Sequence, residues 1–124
     1  MKAIQTEKAP AAIGPYSQGY EGNGFVFSSG QIPVNPETGE IPEGIEAQAR
    51  QSCKNVGEIL KAAGIGYEQV IKTTCFLAEM ADFGAFNQVY EEFFVSRPAR
   101  SCVAVKELPK GVLCEIEAIA VKEQ

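Results

Sequence analysis

Arg100 and Glu115 are the two residues of this 124-residue chain whose types and spacing could do chemistry together. Arg100 lies in Pro98-Ala99-Arg100-Ser101-Cys102-Val103, and Glu115 in Leu113-Cys114-Glu115-Ile116-Glu117, with a Leu108-Pro109-Lys110-Gly111 turn between them. Both segments read as strands, whose side chains alternate between faces. Arg100, Cys102 and Ala104 then share one side of the first strand, and Ser101, Val103 and Val105 the other. In the second strand Glu115 and Glu117 lie opposite Cys114, Ile116, Ala118 and Ala120. If the apolar sets floor a core, Arg100 and Glu115 are both expected on the opposite face of one sheet. A guanidinium fork suits bidentate capture of a carboxylate or phosphate, and a nearby carboxylate can accept a proton or orient a water. The pair therefore suggests a small anionic ligand. The same two charges could instead neutralise each other across a sheet or a subunit interface. The chain has no histidine, so any catalysis runs without imidazole.

Composition narrows the function classes. The length suits one domain, residues 1–124, able to bury roughly two thirds of its unfolded surface. A net charge of −5, with lysines and arginines scattered rather than clustered with aromatics, disfavours generic nucleic-acid or anionic-membrane binding. Neither a signal-peptide run nor a stretch approaching the roughly 20 apolar residues of a membrane span is found, and a soluble cytoplasmic protein is expected. Cys53, Cys75, Cys102 and Cys114 are far apart in the sequence, and none falls in a paired metal-ligand spacing. One is expected on a helix and three in strands, as reduced and mostly buried small hydrophobes. Cys102 is the exception, because its parity places it beside Arg100.

The elements that must position these residues follow from periodicity. After a loop at Ala9–Pro15, Tyr16-Ser17-Gln18-Gly19-Tyr20 reads as a short strand, Glu21-Gly22-Asn23-Gly24 as a turn, and Phe25–Ser29 as a strand ending at Gly30. Gln31–Pro42, with three prolines and a glycine, is expected to be an ordered loop without regular structure. Apolar residues at helical spacing from Ile45 to Ala63 predict a helix capped by Gly64. Val70–Leu77 has strand composition, and Asp82 is placed to cap a second helix bearing the stripe Phe86, Val89, Tyr90 and Phe93. Two helices are too few to cover both faces of a sheet. The expected architecture is an α+β single domain, a mixed sheet with both helices packed on one face. The other face, assigned Ala104, Ile119 and Val121 besides its charges, is half apolar and suggests a homo-oligomer whose sheets meet.

Four separated segments also carry a family resemblance. Ala11-Ala12-Ile13-Gly14-Pro15-Tyr16-Ser17-Gln18, Ser29-Gly30-Gln31-Ile32-Pro33, Pro98-Ala99-Arg100-Ser101-Cys102-Val103, and Leu108-Pro109-Lys110-Gly111 with Glu115-Ile116-Glu117-Ala118-Ile119-Ala120 together resemble the RidA (YjgF) family of reactive intermediate deaminases. The match runs essentially end to end. It implies a chorismate-mutase-like fold assembled as a homotrimer with clefts between subunits. It also implies hydrolysis of 2-imino acids such as 2-iminobutanoate and 2-iminopropanoate, or their enamine tautomers, released by pyridoxal-phosphate enzymes. The products are a 2-oxo acid and ammonia, and the resemblance implies no cofactor or metal. Carried over by position, Arg100 matches the arginine that holds the substrate carboxylate and Glu115 the acidic residue of water activation or proton transfer. Tyr16 matches a pocket-lining tyrosine, Ser29-Gly30 a turn that approaches the ligand through its backbone, and Cys102 a position whose main chain faces the cleft. Asn87, on the second helix, is a further substrate-binding candidate. The link from Phe93 to Pro98 is short compared with some relatives, and Arg97 within it is a candidate second cation at the cleft mouth.

Two other function classes fit some of these residues. A non-catalytic trimer that binds small 2-oxo or amino acids and reports them to a partner would use the same arginine. Family members have also been described as translation inhibitors with ribonuclease activity and as holdase chaperones. Acidic charge and the lack of a basic groove disfavour the ribonuclease reading.

Overall fold

The helical periodicity that begins at Ile45 becomes α1 (Ile45–Ala62), which buries Ala49, Cys53, Val56, Ile59 and Leu60 along one stripe. Its end is a Schellman arrangement: Gly64 adopts φ 84°, its amide donates to Lys61 O at 2.9 Å, and the Ile65 amide donates to Leu60 O at 3.0 Å. Glycine is favoured there because a Cβ disfavours the left-handed conformation. The computed structural model describes residues 1–122 of the chain. Its remaining elements are β1 (Lys2–Ile4), β2 (Gly19–Gly22), β3 (Phe25–Ser28), β4 (Val70–Leu77), α2 (Phe83–Phe93), β5 (Ala99–Ala104) and β6 (Cys114–Val121).

The strands form one six-stranded sheet in the order β1-β2-β3-β6-β4-β5. All neighbours pair antiparallel except β4 and β5, which run parallel with α2 as their crossover. Both helices pack on one face, as expected for an α+β domain of this size. Val26, Val70, Cys75, Leu77, Cys114, Ile116, Ala118 and Ala120 floor the core, and α2 adds Phe86, Val89 and Tyr90. Tyr90 stacks on Phe94 with ring centroids 4.5 Å apart, and Phe94 meets Tyr67 edge-on at 5.4 Å. Full burial of side chains such as Ile59, Leu60 and Phe86 contributes about 1.5–3 kcal/mol each before entropy is counted.

Several boundaries differ from the sequence expectation. The strand expected at Tyr16–Tyr20 begins only at Gly19, and Glu21 and Gly22 belong to it rather than to the turn. The turn is the two-residue Asn23-Gly24 loop, with φ 53° and 81°, whose twist matches the flanking antiparallel strands. β1 was not expected, since three residues carry no periodicity and take their extended form from pairing with β2. Asp82 does occupy the position before α2, but its side chain makes no capping hydrogen bond.

Among the described residues nothing covers the opposite face of the sheet. Tyr20, Phe25, Phe27 and Val103 are exposed on it, beside the half-buried Phe76, Ile119 and Val121. Ala104, assigned to this face from the sequence, instead pairs with the buried Leu77 and so lies on the helix side.

Irregular segments are held by buried amide side chains. Asn55 on α1 donates to Ile32 O at 3.1 Å and Val34 O at 3.0 Å, and Gln48 donates to Pro42 O while accepting from the Leu113 amide at 2.7 Å. These bonds order the 31–42 loop that the sequence marked as irregular. Asn55→Ala leaves both loop carbonyls without their donor, which costs about 1–3 kcal/mol. Thermal denaturation should show the lower Tm, and limited proteolysis of the folded protein should open between 32 and 42.

Candidate active site

The sequence-predicted residues fall into two groups on opposite faces of the sheet. On β5, Arg100 pairs with Thr73, Cys102 with Cys75 and Ala104 with Leu77, and all three partners are buried beneath the helices. Arg100 and Cys102 therefore project to the helix side. On β6, Glu115 pairs with Phe76, which in turn pairs with Val103, and this row belongs to the bare face. The expectation that Arg100 and Glu115 share a face is corrected. Val103 of β5, read as core floor, is a bare-face residue, and the arginine is the one that meets the helices.

The first group is an arginine held by α2. Arg100 donates to Asn87 Oδ1 at 2.7 Å. Its guanidinium carbon lies 4.8 Å from the centroid of Tyr90 and 5.4 Å from that of Phe83. Two ring faces and a neutral amide oxygen orient the cation without cancelling it, a geometry worth about 0.5–2 kcal/mol per aromatic contact. Among the described residues Arg100 has no carboxylate partner within ion-pair distance. The Tyr90 hydroxyl is itself fixed by Thr73 Oγ1 at 2.6 Å, and burial pushes its pKa up to about 12, so it stays protonated. Beside Arg100 an open groove of about 880 Å³ is lined by Asn87, Glu91, Glu92, Arg97 and Pro98. Asn87 is thus brought to Arg100, and Arg97 lines the same groove.

The second group is a carboxylate laid over a glycine. Gln31 bridges to Ile116 through both backbone bonds, at 2.7 and 3.2 Å, which draws the Ser29-Gly30 backbone alongside β6. A Cβ placed on Gly30 would stand 2.0 Å from Glu115 Oε2, so only glycine lets this backbone and carboxylate approach. Glu115 is half-buried, and its pKa is raised above the ordinary 4.5 by desolvation first and by the Glu117 charge second. Ser29 spends its hydroxyl on Ser17 O and its amide on Gln18 O, which joins this group to the Tyr16 loop. Gln18 anchors that loop from within: its amide nitrogen donates to Thr6, Ala9 and Pro10 carbonyls, and its oxygen accepts from the Thr6 amide at 2.7 Å. Tyr16 is exposed at the rim of a second depression, of about 450 Å³, in the same N-terminal region. The structure does not bring Tyr16, Ser29, Gly30 or Glu115 to Arg100 within one chain. No group of three or more histidine, cysteine, aspartate or glutamate side chains among the described residues is placed to hold a metal ion.

A family model described as Endoribonuclease L-PSP matches residues 6–122. The chain belongs to this family, RidA (YjgF). The 2-iminobutanoate/2-iminopropanoate deaminase of Escherichia coli (strain K12) is 54% identical over 125 residues, covering 98% of this chain and 98% of that one. A RutC family protein of Haemophilus influenzae is 54% identical over 97% of this chain and 96% of its own length. Among solved structures, E. coli TdcF with bound serine superposes with a TM-score of 0.96 at 50% identity, over 99% of this chain and all of that one. The E. coli YjgF gene product superposes with a TM-score of 0.95 at 52% identity, over 99% and 100% of the two chains.

Within this RidA-family chain, sequence reasoning missed the aromatic holder of Arg100 and the Gln18 anchor. Tyr90 was legible only as part of an apolar helical stripe, Phe83 was not singled out, and no local signal says that these two rings face a cation. The Gly30–Glu115 contact yields a direct test. Gly30→Ala should displace only the flexible end of Glu115, keeping Tm within a few degrees, and lower turnover on the order of tenfold or more through misplacement of the carboxylate. Retained turnover in a folded variant would count against the placement of Glu115 at the reacting centre.

Proposed function

We propose that this protein is a 2-iminobutanoate/2-iminopropanoate deaminase, a hydrolase of C=N bonds that converts reactive 2-imino acids and their enamine tautomers to 2-oxo acids and ammonia. The observation that carries the reading is the unneutralised Arg100, oriented by Asn87, Tyr90 and Phe83 and open to a groove. Such a cation suits the substrate carboxylate. Full-length relatives at 54% identity that carry this activity in their names support the same assignment. A relative solved with serine bound indicates that the fold accommodates a small amino-acid-sized ligand.

The chemistry needs few groups. A protonated imine is already electrophilic, so the protein must orient it, supply a water and manage protons. Arg100 holds the carboxylate. Glu115 takes a proton from the water as its oxygen bonds to C2. That proton then passes to the nitrogen of the carbinolamine, the C–N bond breaks as ammonia leaves, and the hydroxyl gives its own proton back to Glu115 and on to ammonia, leaving the 2-oxo acid. Desolvation, with the Glu117 charge behind it, makes Glu115 a better base than an exposed glutamate. Tyr16, Ser29, the Gly30 backbone and the Cys102 main chain line the remaining walls in this reading.

A single chain keeps the two groups on opposite sheet faces, so we place the complete site between subunits of a homotrimer. The bare face supports this, with Tyr20, Phe25, Phe27 and Val103 exposed on it. One subunit then supplies Arg100, Asn87 and Cys102, and its neighbour Glu115, Ser29, Gly30 and Tyr16. Four free thiols suit a reducing cytoplasm, and no described helix is long and apolar enough to cross a membrane.

The primary test generates 2-iminobutanoate from threonine with a purified dehydratase in the presence of semicarbazide, which traps surviving imine. The protein should speed 2-oxobutanoate release and suppress trapping, and Arg100→Ala should do neither. Coincident traces with retained oxo-acid binding would convert the assignment to a ligand sensor.

A mixing experiment tests the shared site. Arg100→Ala and Glu115→Ala chains, each inactive alone, should regain activity when refolded together in equal amounts. On the order of a quarter of the interfaces of a cyclic trimer would then pair an intact arginine with an intact glutamate. A mixture that stays inactive places both roles within one chain.

The pH profile follows from Glu115. Its raised pKa moves the acidic limb of kcat/KM above the ordinary carboxylate value of 4.5, with activity rising as the group ionises. The stability contribution has the opposite sense, being fully present below the unfolded value and lost as pH rises through the folded one. Glu115→Gln is therefore expected to be at least as heat-stable as the parent at pH 7 while losing turnover. A limb at or below 4.5, or a marked loss of Tm, would contradict this account.

A further inference from the structure

The four thiols are not equivalent. Cys53 and Cys114 are sealed in the core, Cys114 facing Ser52 Oγ at 3.8 Å. Cys75 and Cys102 are 27 residues apart in sequence yet are register partners on the parallel pair β4 and β5. Their side chains share the helix side of the sheet, between the Thr73–Arg100 and Leu77–Ala104 pairs. Cys75 is fully buried, whereas Cys102 is partly exposed on the edge strand. One thiol is reachable from solvent, and the other stands directly behind it.

We propose that Cys75 and Cys102 form an oxidant-responsive thiol pair, in which Cys102 is oxidised first and Cys75 then closes an intrachain disulfide across β4 and β5. With hydrogen peroxide as oxidant, the Cys102 thiolate sulfur bonds to one peroxide oxygen as the O–O bond breaks, giving a sulfenic acid and hydroxide, which is protonated to water. The Cys75 sulfur then attacks the Cys102 sulfur, the S–O bond breaks, and the departing oxygen leaves as water with the Cys75 proton. Two thiols lose two electrons, and one peroxide becomes two waters.

The surroundings assign these roles. The Cys102 thiol is acidified by the adjacent Cys75 thiol and further by the Arg100 charge two residues away, while burial opposes both. The same thiol–thiol proximity raises the Cys75 pKa, and desolvation adds to it. The other groups facing the pair are the Thr73 hydroxyl, 4.0 Å from Cys75 Sγ, and Tyr90 beyond it. The more acidic thiol is therefore also the accessible one, the combination that peroxide attack requires.

Adjacent strands lie about 4.8 Å apart, inside the Cα range of disulfides, although directly opposed parallel positions leave the Cβ atoms wider than usual. Closing the bond pulls the edge strand inward and yields a strained disulfide that thiols reduce readily. Because β5 also carries Arg100, that shift alters the guanidinium that Asn87, Tyr90 and Phe83 orient. Oxidation should then weaken carboxylate binding. This last consequence rests on the deaminase reading, whereas disulfide formation does not.

The test treats the intact protein with a modest excess of hydrogen peroxide, with and without dimedone, then alkylates it and maps its peptides by mass spectrometry. The expected product is a linked Cys75 and Cys102 peptide pair, lighter by two hydrogens and restored by dithiothreitol. Cys75→Ala should accumulate dimedone-labelled Cys102, and Cys102→Ala should leave Cys75 unoxidised. Stable sulfenic or sulfinic acid on Cys102 beside a free Cys75 in the unsubstituted protein would overturn the proposal, as would failure of both thiols to react. Titration with 2-oxobutanoate before and after oxidation reads the coupling, with an expected loss of affinity of roughly fivefold or more. A linked pair with unchanged affinity removes the coupling, and a protein that never binds the oxo acid implicates the deaminase reading instead.

Discussion

Alternation of side chains along two strands is the constraint from which the candidate site follows. Because β4 lies between β5 and β6, the faces of Arg100 and Glu115 are fixed by their register with Thr73 and Phe76. Those two positions have opposite parity in a strand without an intervening bulge, so a cation on one face and a carboxylate on the other is unavoidable. Shifting β5 by one residue would bury the wrong set, setting Val103 under α2 and Arg100 on the bare face. The hydrophobic core thus holds the two charges apart within one chain, and it leaves an aromatic face exposed.

Uncharged amides do the corresponding work for the irregular backbone. Gln18, Gln48 and Asn55 are each buried, and each satisfies loop backbone atoms that no strand could reach. Carboxylates in these places would carry a desolvation cost, and hydroxyls would be too short to bridge several carbonyls. Gln18 and the Ser29 hydroxyl thereby tie the segment bearing Tyr16 to its neighbours, and the Gln31–Ile116 bridge holds the Ser29-Gly30 backbone beside β6. Rigid loops around a sparse site matter for a reaction in which orientation supplies most of the assistance.

Features set by nearby residues were legible in the sequence. The α1 stripe and Gly64, the strand at Val70–Leu77 and the Phe86–Tyr90 face all depend on local spacing and survive intact. Long-range features were not. Both sides of β5 mix small and apolar residues, so parity separated Arg100 from Val103 without saying which side meets the helices. The decision comes from its neighbour, because Thr73, Cys75 and Leu77 are all buried. Cys75 and Cys102 looked unrelated for the same reason, their proximity being a product of parallel pairing across α2. The family motifs nominated the candidate site residues directly, since they encode proposed roles that periodicity does not carry.

The character of the positive charge separates a small-molecule site from a nucleic-acid groove, which the family description Endoribonuclease L-PSP would otherwise suggest. Polyanion binding gains affinity by neutralising several phosphates with several mobile cations. Here one guanidinium is held by two rings and an amide, and Glu91 and Glu92 line the groove beside it. Glu92 also takes up the neighbouring Arg50 at 2.9 Å, removing that cation from the groove's use. With a chain charge of −5, a long phosphate backbone would meet Glu91 and Glu92 beside only two lining cations, Arg100 and Arg97. A ligand with one carboxylate and little else meets only the favourable contact, so the local acidity that excludes a polyanion leaves the small acid unimpeded.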